Sequence, residues 1–108
     1  MMPWRVEFLN PVARAEVDAL PTDIRARFVR IGELIHVHGL ERVGEPYLKH
    51  LEGKLWEMRM TGRDGIARSL YVTATGRRVV VLRTFVKKTQ RTPRREINLA
   101  LERAKEMT

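Results

Sequence analysis

Eight basic side chains and no carboxylate lie between Arg77 and Arg95. Residues 54–108 carry 14 basic and 5 acidic side chains, a net charge of +9, whereas residues 1–53 carry 7 basic and 8 acidic ones, a net charge of −1. This concentration of positive charge favours a polyanionic partner, and the phosphates of nucleic acid are the commonest polyanion. A solvent-exposed face that keeps the protein soluble, or a surface that binds an acidic protein, would also explain this positive charge.

The composition excludes several other chemistries. The sequence has no cysteine, which removes disulfides, thiolate metal sites and a cysteine nucleophile. His36 and His38 are two residues apart on a predicted helix and point in different directions, so they do not form a metal pair. We expect neither a metal nor any other cofactor.

The length of 108 residues is enough for one hydrophobic core, and we expect a single domain over residues 1–108. The N-terminal residues carry charges where a signal peptide needs an apolar segment, and no run approaches the roughly 18 apolar residues of a membrane span. We therefore expect a soluble, cytoplasmic protein with no membrane partner.

The elements that must position the basic residues follow from periodicity and from turn residues. Residues 4–9 are rich in strand formers, and Asn10-Pro11 begins a helix that Pro21 ends. Thr22 is expected to cap a second helix, which ends near Gly39, and residues 39–53 are predicted to be a loop because they hold three glycines and Pro46. Strands are predicted from Lys54, over 66–73 and over 78–86, and Thr92-Pro93 begins a last helix. The order β-α-α-β-β-β-α predicts an α+β fold with a small, mainly antiparallel sheet.

The alternation of side chains from residue 55 onward assigns them to the two faces of the strand predicted from Lys54. Leu55, Glu57 and Arg59 are predicted to share one face, and Trp56, Met58 and Met60 the other. The flanking apolar residues favour a core position for Trp56, although it is also a candidate for stacking on a base.

Four segments of the sequence resemble a known toxin family. They are Leu55-Trp56-Glu57-Met58-Arg59, Arg68-Ser69-Leu70-Tyr71, the run from Val81 to Pro93 that includes Phe85-Val86-Lys87-Lys88-Thr89, and Glu96-Ile97 with Ala100-Leu101-Glu102-Arg103. Together they resemble the HigB branch of the RelE/ParE toxin superfamily, including its phage-derived members. The resemblance covers nearly the whole chain, and the segment that leads into the last helix is its most specific part.

The resemblance implies a RelE-like fold and the toxin of a type II toxin–antitoxin system. Such a toxin is an endoribonuclease that enters the ribosomal A site, cleaves the messenger there without a metal and is silenced by a helix-turn-helix antitoxin. A ParE-like gyrase inhibitor and a non-catalytic nucleic-acid-binding member of the same fold are the alternatives.

In this family's reaction the 2′-hydroxyl of the RNA is the nucleophile, so cations that hold phosphate matter more than a protein nucleophile. Arg68 matches the family's strand arginine, and we expect it to lie beside Arg59 on a concave basic surface. Glu57 is either a proton acceptor or the salt-bridge partner of Arg59. Lys87 and Lys88 match the family's basic pair; only one of them can face the site, and Lys88 is favoured.

Further residues are candidates for holding RNA or for transferring a proton. The RNA-binding candidates are Lys54, Tyr71, Arg83, Gln90 and Arg91, together with His50. Several relatives place a histidine or tyrosine after the last strand, and this sequence has neither from Gln90 to Met107. His50 is therefore the best available imidazole, although a solitary loop histidine is more often incidental.

Overall fold

A computed structural model describes residues 2–87 and 90–107. Its elements are β1 (Arg5–Phe8), α1 (Pro11–Asp18), α2 (Thr22–His38), β2 (Leu48–Glu52), β3 (Leu55–Gly62), β4 (Gly65–Ala74), β5 (Arg78–Lys87) and α3 (Arg94–Ala104), with short 3-10 turns at Leu40–Arg42 and Lys105–Met107. The predicted α+β class is confirmed, and the predicted order is confirmed except for one additional strand, β2.

The five strands form one sheet in the order β1-β5-β4-β3-β2. β1 pairs parallel with β5, and the other neighbours are antiparallel. α1 and α2 pack on one face, where Ile24, Phe28 and Ile31 of α2 meet the β3 and β4 side chains. α3 packs on the other face through Ile97 and Ala100. Both faces of the central strands are therefore buried.

β2 lies in the segment that the sequence predicted to be a loop. Glycines and a proline surround its five residues, and this composition hides a short edge strand. Gly53, at φ +54, makes the tight turn from β2 into β3, where a side chain would be strained. The correction matters for the site because β2 brings Lys49 opposite Glu57.

Two of the predicted helix starts differ from the structure. Asn10 caps α1 as predicted, since its side chain accepts a hydrogen bond from the Ala13 N–H at 2.9 Å. Thr22 does not cap α2: it is the first residue of that helix, after Pro21, and no side chain caps it. Thr92 does not cap α3 either, because α3 begins at Arg94 and the Thr92 hydroxyl binds a side chain of the sheet.

Gly62 allows the start of α2 to approach the turn between β3 and β4. A Cβ at Gly62 would lie 2.3 Å from a side-chain carbon of Ile24, which the packing cannot accommodate. The Asp23 carboxylate accepts a hydrogen bond from the Arg63 N–H at 2.9 Å in the same turn. No helix within residues 2–87 and 90–107 is long and apolar enough to cross a bilayer.

Glu16 ties α1 to β5 and α3. Its carboxylate accepts hydrogen bonds from Arg83 at 2.7 Å, from Arg103 at 2.9 Å and from the backbone N–H of Thr84 at 3.1 Å. Burial opposes ionisation of Glu16, but these hydrogen bonds outweigh it and hold the pKa of the carboxyl below its ordinary value. Arg83 also binds Glu96 of α3, at 2.8 Å.

We expect Glu16→Gln to lower the free energy of unfolding at pH 7 by about 2 kcal/mol, because a charged acceptor for two arginines is lost. A depressed pKa stabilises the fold above the ordinary carboxyl pKa of 4.5, and that contribution is lost as the pH falls below it. Urea titrations at pH 7 and at acidic pH should therefore show the difference from the unsubstituted protein narrowing at low pH. Glu33→Gln, at an exposed position of α2, is the control, and an equal loss there would contradict the prediction.

Candidate functional site

Glu57 is a buried carboxylate that lies between Arg59 and Arg68 on the sheet. Its Oε1 accepts a hydrogen bond from Arg59 Nε at 2.9 Å, and its Oε2 lies 3.6 Å from Arg68 Nε. The hydroxyl of Thr92 donates a hydrogen bond to the same Oε2. With only 1% of Glu57 exposed and both oxygens engaged, the carboxylate orients its neighbours. Of the two roles predicted for it, the salt bridge is the one the geometry shows.

Arg59 and Arg68 are directly opposed across β3 and β4, as the sequence predicted. Arg68 is completely buried, however, and is not presented on an open surface. Its Nη2 donates a hydrogen bond to the backbone carbonyl of Gln90. Burial lowers the pKa of Arg68 from its ordinary value, the Glu57 charge raises it and the Arg59 charge lowers it. The expectation that Arg68 is a surface phosphate clamp is therefore corrected.

Arg59 is the member of this cluster that reaches solvent. Its side chain is 29% exposed, and its Nη2 donates a hydrogen bond to the Gln90 carbonyl at 3.2 Å. Glu57 fixes the inner edge of the guanidinium, so the group is held in one orientation. A fixed guanidinium at a surface binds a phosphate with little loss of side-chain freedom.

An open cleft of about 760 Å³ lies above Glu57 and Arg59. It is lined by Lys49, Leu51, Glu52, Glu57, Arg59, Gln90, Arg91, Thr92, Arg94 and Ile97. The strand β2, the strand β3 and the start of α3 supply its walls. Gln90 and Arg91, which were RNA-binding candidates, are brought together there with Arg59.

Lys49 is the cleft residue that sequence reasoning missed. It lies opposite Glu57 in the β2–β3 register, on the face of the sheet that carries Arg59. Recognising the alternation of Leu48, Lys49 and His50 as a strand would have found it. Arg94 is the other missed cation, and it forms an exposed ion pair with Glu52 at the rim of the cleft.

The structure describes one of the two lysines that match the family's basic pair. Lys87 is opposite Ile66 and, by strand alternation, on the same face as Arg68, but it does not line the cleft. Lys88, which the resemblance favoured, lies outside the described residues. Lys54 is exposed in the turn between β2 and β3 and does not line the cleft either.

Three further RNA-binding candidates do not reach the cleft. Tyr71 is 1% exposed in the core beneath α2, where burial raises the pKa of its hydroxyl, so it presents no face for a base. Arg83 is held by Glu16 and Glu96. His50 lies in β2, not in a loop, and shares with Trp56 the face opposite to Glu57. The structure therefore places these three side chains away from the cleft, in the core, in ion pairs and on the other face of the sheet.

Trp56 also departs from its expected core position. It is 38% exposed, and its ring lies edge-on to His50 with the ring centres 5.1 Å apart. Strand β3 is next to the edge strand of the sheet. The predicted division of β3 into two faces is nevertheless confirmed, because Met58 and Met60 lie in the α2 core.

Among residues 2–87 and 90–107, no group of three or more histidine, acidic or cysteine side chains is placed to hold a metal ion. The cleft instead combines fixed cations with two carboxylates that are each bound to an arginine. Charge and directed hydrogen bonds of this kind are suited to a phosphate group.

A small α+β domain with this topology defines a RelE-like fold. The chain is similar to one chain of the crystal structure of the archaeal RelE-RelB complex from Pyrococcus horikoshii OT3, with a TM-score of 0.57 and 21% identity over 84% of this chain and 100% of that one. The family described as "Phage derived protein Gp49-like (DUF891)" matches residues 15–105, and the chain belongs to this family. No curated protein matches the sequence.

We expect Glu57→Gln to destabilise the fold by about 3 kcal/mol, because it leaves Arg68 as a buried cation without its counter-charge. Glu52→Gln is the matched control: it also breaks a Glu–Arg pair, but an exposed one, and should change stability far less. Urea unfolding at pH 7 measures both variants. Equal effects would show that the burial of the Glu57 cluster carries no energetic weight.

Proposed function

We propose that this protein is the toxin of a type II toxin–antitoxin system and cleaves messenger RNA on the ribosome. The observation that carries the proposal is the cleft in which Glu57 fixes Arg59 beside Lys49, Gln90 and Arg91. Membership of the Gp49-like family and the RelE-like fold support it. The more specific assignment to the HigB branch rests on the segments that resemble that branch.

In the proposed reaction the 2′-hydroxyl of one nucleotide attacks the adjacent phosphorus. A new O–P bond forms, the bond to the 5′-oxygen breaks, and the products are a 2′,3′-cyclic phosphate and a 5′-hydroxyl. The 2′-hydroxyl gives up one proton and the 5′-oxygen gains one. Negative charge builds up on the phosphate oxygens, so fixed cations at those oxygens lower the barrier.

Each described residue of the cluster has a distinct part in this proposal. Arg59 and Lys49 hold the phosphate, because both line the cleft beside Glu57, Arg59 on the same strand and Lys49 opposite it on β2. Glu57 and Thr92 are positioning residues, since Glu57 holds Arg59 and Arg68 and Thr92 holds the Glu57 carboxylate. Arg68 adds a buried positive charge beneath the floor, where the low dielectric strengthens its field. Lys87 and Lys88 remain the candidates for proton transfer that the resemblance implies.

An acidic antitoxin with a helix-turn-helix domain is the proposed protein partner. The net charge of +8 favours it, because carboxylates over the cleft would compete with RNA phosphate. The structural neighbour comes from a RelE-RelB complex, which is consistent with such a pairing. If the protein encoded beside this one is the antitoxin, it should co-purify with it and restore growth when both are expressed.

We expect Arg59→Gln to reduce messenger cleavage by about 100-fold, because it removes the exposed guanidinium that Glu57 holds in the cleft. Purified protein is added to a translating extract, and messenger 5′ ends are mapped by primer extension. Arg30→Gln removes an exposed arginine of α2 outside the cleft and is the control for charge. Arg59 is a cleaner test than Arg68→Ala, which also removes the buried partner of Glu57.

Codon-phased cuts that disappear in Arg59→Gln, persist in Arg30→Gln and are absent without ribosomes would support the proposal. Cleavage that is unaffected by Arg59→Gln would contradict the role given to the cleft. An uncut messenger with intact toxicity would overturn the nuclease proposal and favour a gyrase-directed or purely binding protein of this fold.

A further inference from the structure

A second depression adjoins the cleft and shares Arg59 and Gln90 with it. This groove of about 220 Å³ lies where β3 continues beyond the start of β2, since Leu48 opposite Met58 is the first pair of those two strands. Tyr47 and Arg27 line its sides, and Ile31 and Met60 contribute apolar surface. We call it the Tyr47 groove.

Tyr47 is an aromatic residue that the core does not absorb, with 37% of its surface exposed. Its backbone is fixed: the Tyr47 carbonyl accepts a hydrogen bond from the Arg59 N–H at 2.8 Å, and its N–H donates to the Gly44 carbonyl at 3.1 Å. The aromatic residue is therefore anchored directly to the strand position of the cleft arginine. A ring on a rigid backbone, beside apolar surface, is suited to stacking on a base.

Arg27 supplies positive charge on the α2 side of the groove. Within the described part of the chain, no carboxylate lies within ion-pair distance of it, in contrast to Arg83, Arg94 and Arg103. Arg59 stands on the other side, between the groove and the cleft. A cation on each side of an aromatic surface matches the repeat of a nucleic-acid strand, in which each base is flanked by two phosphates.

We propose that the Tyr47 groove is a nucleotide subsite for single-stranded RNA, next to the phosphate held in the cleft. One base stacks on Tyr47, Arg27 contacts the phosphate on its outer side, and Arg59 contacts the phosphate shared with the cleft. Single-stranded RNA fits because the base must be unstacked from its neighbours to enter the groove. The inference rests on the proposed function, in that the cleft holds RNA.

Binding is measured with a fluorescently labelled, 2′-O-methylated single-stranded oligonucleotide, which lacks the 2′-hydroxyl needed for cleavage. Tyr47→Leu should weaken binding at least fivefold, and Tyr47→Phe should restore it, because stacking needs the ring and not the hydroxyl. Trp56→Leu is the matched control: Trp56 is equally exposed but lines neither the cleft nor the groove. Equal weakening by Tyr47→Leu and Trp56→Leu would overturn the proposal.

A single abasic position, moved along the oligonucleotide, tests the same contact with the unsubstituted protein. One position should weaken binding to the extent that Tyr47→Leu does, and the two changes together should cost no more than either alone. This measurement does not depend on the folding of a variant. If every abasic position is tolerated, no base occupies the groove and the proposal is wrong.

Arg27→Gln should lower the slope of log affinity against log salt concentration by about 0.7, the value for one phosphate contact on a single strand. Arg30→Gln, one turn further along α2 and outside the groove, should leave the slope unchanged.

Messenger cleavage that is insensitive to Tyr47→Leu would contradict the proposed subsite but not the proposed function. Oligonucleotide binding that depends on Tyr47, without any messenger cleavage in the extract, would support the subsite and contradict the nuclease proposal.

Discussion

The buried carboxylate of Glu57 is the group on which the rest of the site depends. It is buried, and the cost of taking its charge out of water is offset by Arg59, Arg68 and the Thr92 hydroxyl. These three partners belong to β3, to β4 and to the approach to α3. One interaction therefore sets the orientation of the cleft arginine and also fixes where the last helix joins the sheet. The Gln90 carbonyl completes the arrangement by accepting hydrogen bonds from both arginines.

Residue alternation predicted the sheet well where turns bound the strands clearly. The turns at Gly62–Gly65 and near Gly76 set the pairing of β3, β4 and β5, so the opposition of Arg59 and Arg68 was available from the sequence. Alternation assigns a side chain to a face, but it does not say how deeply that face is covered. Arg68 and Tyr71 lie on opposite faces and are both buried, because helices cover the centre of the sheet on both sides. Trp56 lies nearer an edge and is exposed.

The sequence also did not predict which charged residues form ion pairs when they are far apart in the chain. The basic excess of the C-terminal half suggested one continuous cationic surface, but Glu16 of α1 neutralises part of it by binding Arg83 and Arg103. Glu7 similarly binds Arg78. The cations left for a ligand are selected by the fold, and they include Lys49 and Arg27 from the half of the chain with no net positive charge. The composition shows where along the sequence the positive charge lies, and the tertiary structure determines which of the cations can bind a ligand.

The parallel pairing of β1 with β5 joins two segments that are far apart in the sequence, because Arg5 lies opposite Arg78 in the register. During synthesis, the first strand therefore has no partner until the fifth has been made, and contacts this distant in sequence form late in folding. The walls of the cleft also need the late part of the chain, because they include Gln90, Thr92 and Arg94, which follow all five strands in the sequence. A nascent chain that has not yet extended past β5 holds Arg59 and Arg68 without the Gln90 carbonyl and the Thr92 hydroxyl that organise them. The cleft is consequently complete only in a chain that has been made at least as far as α3.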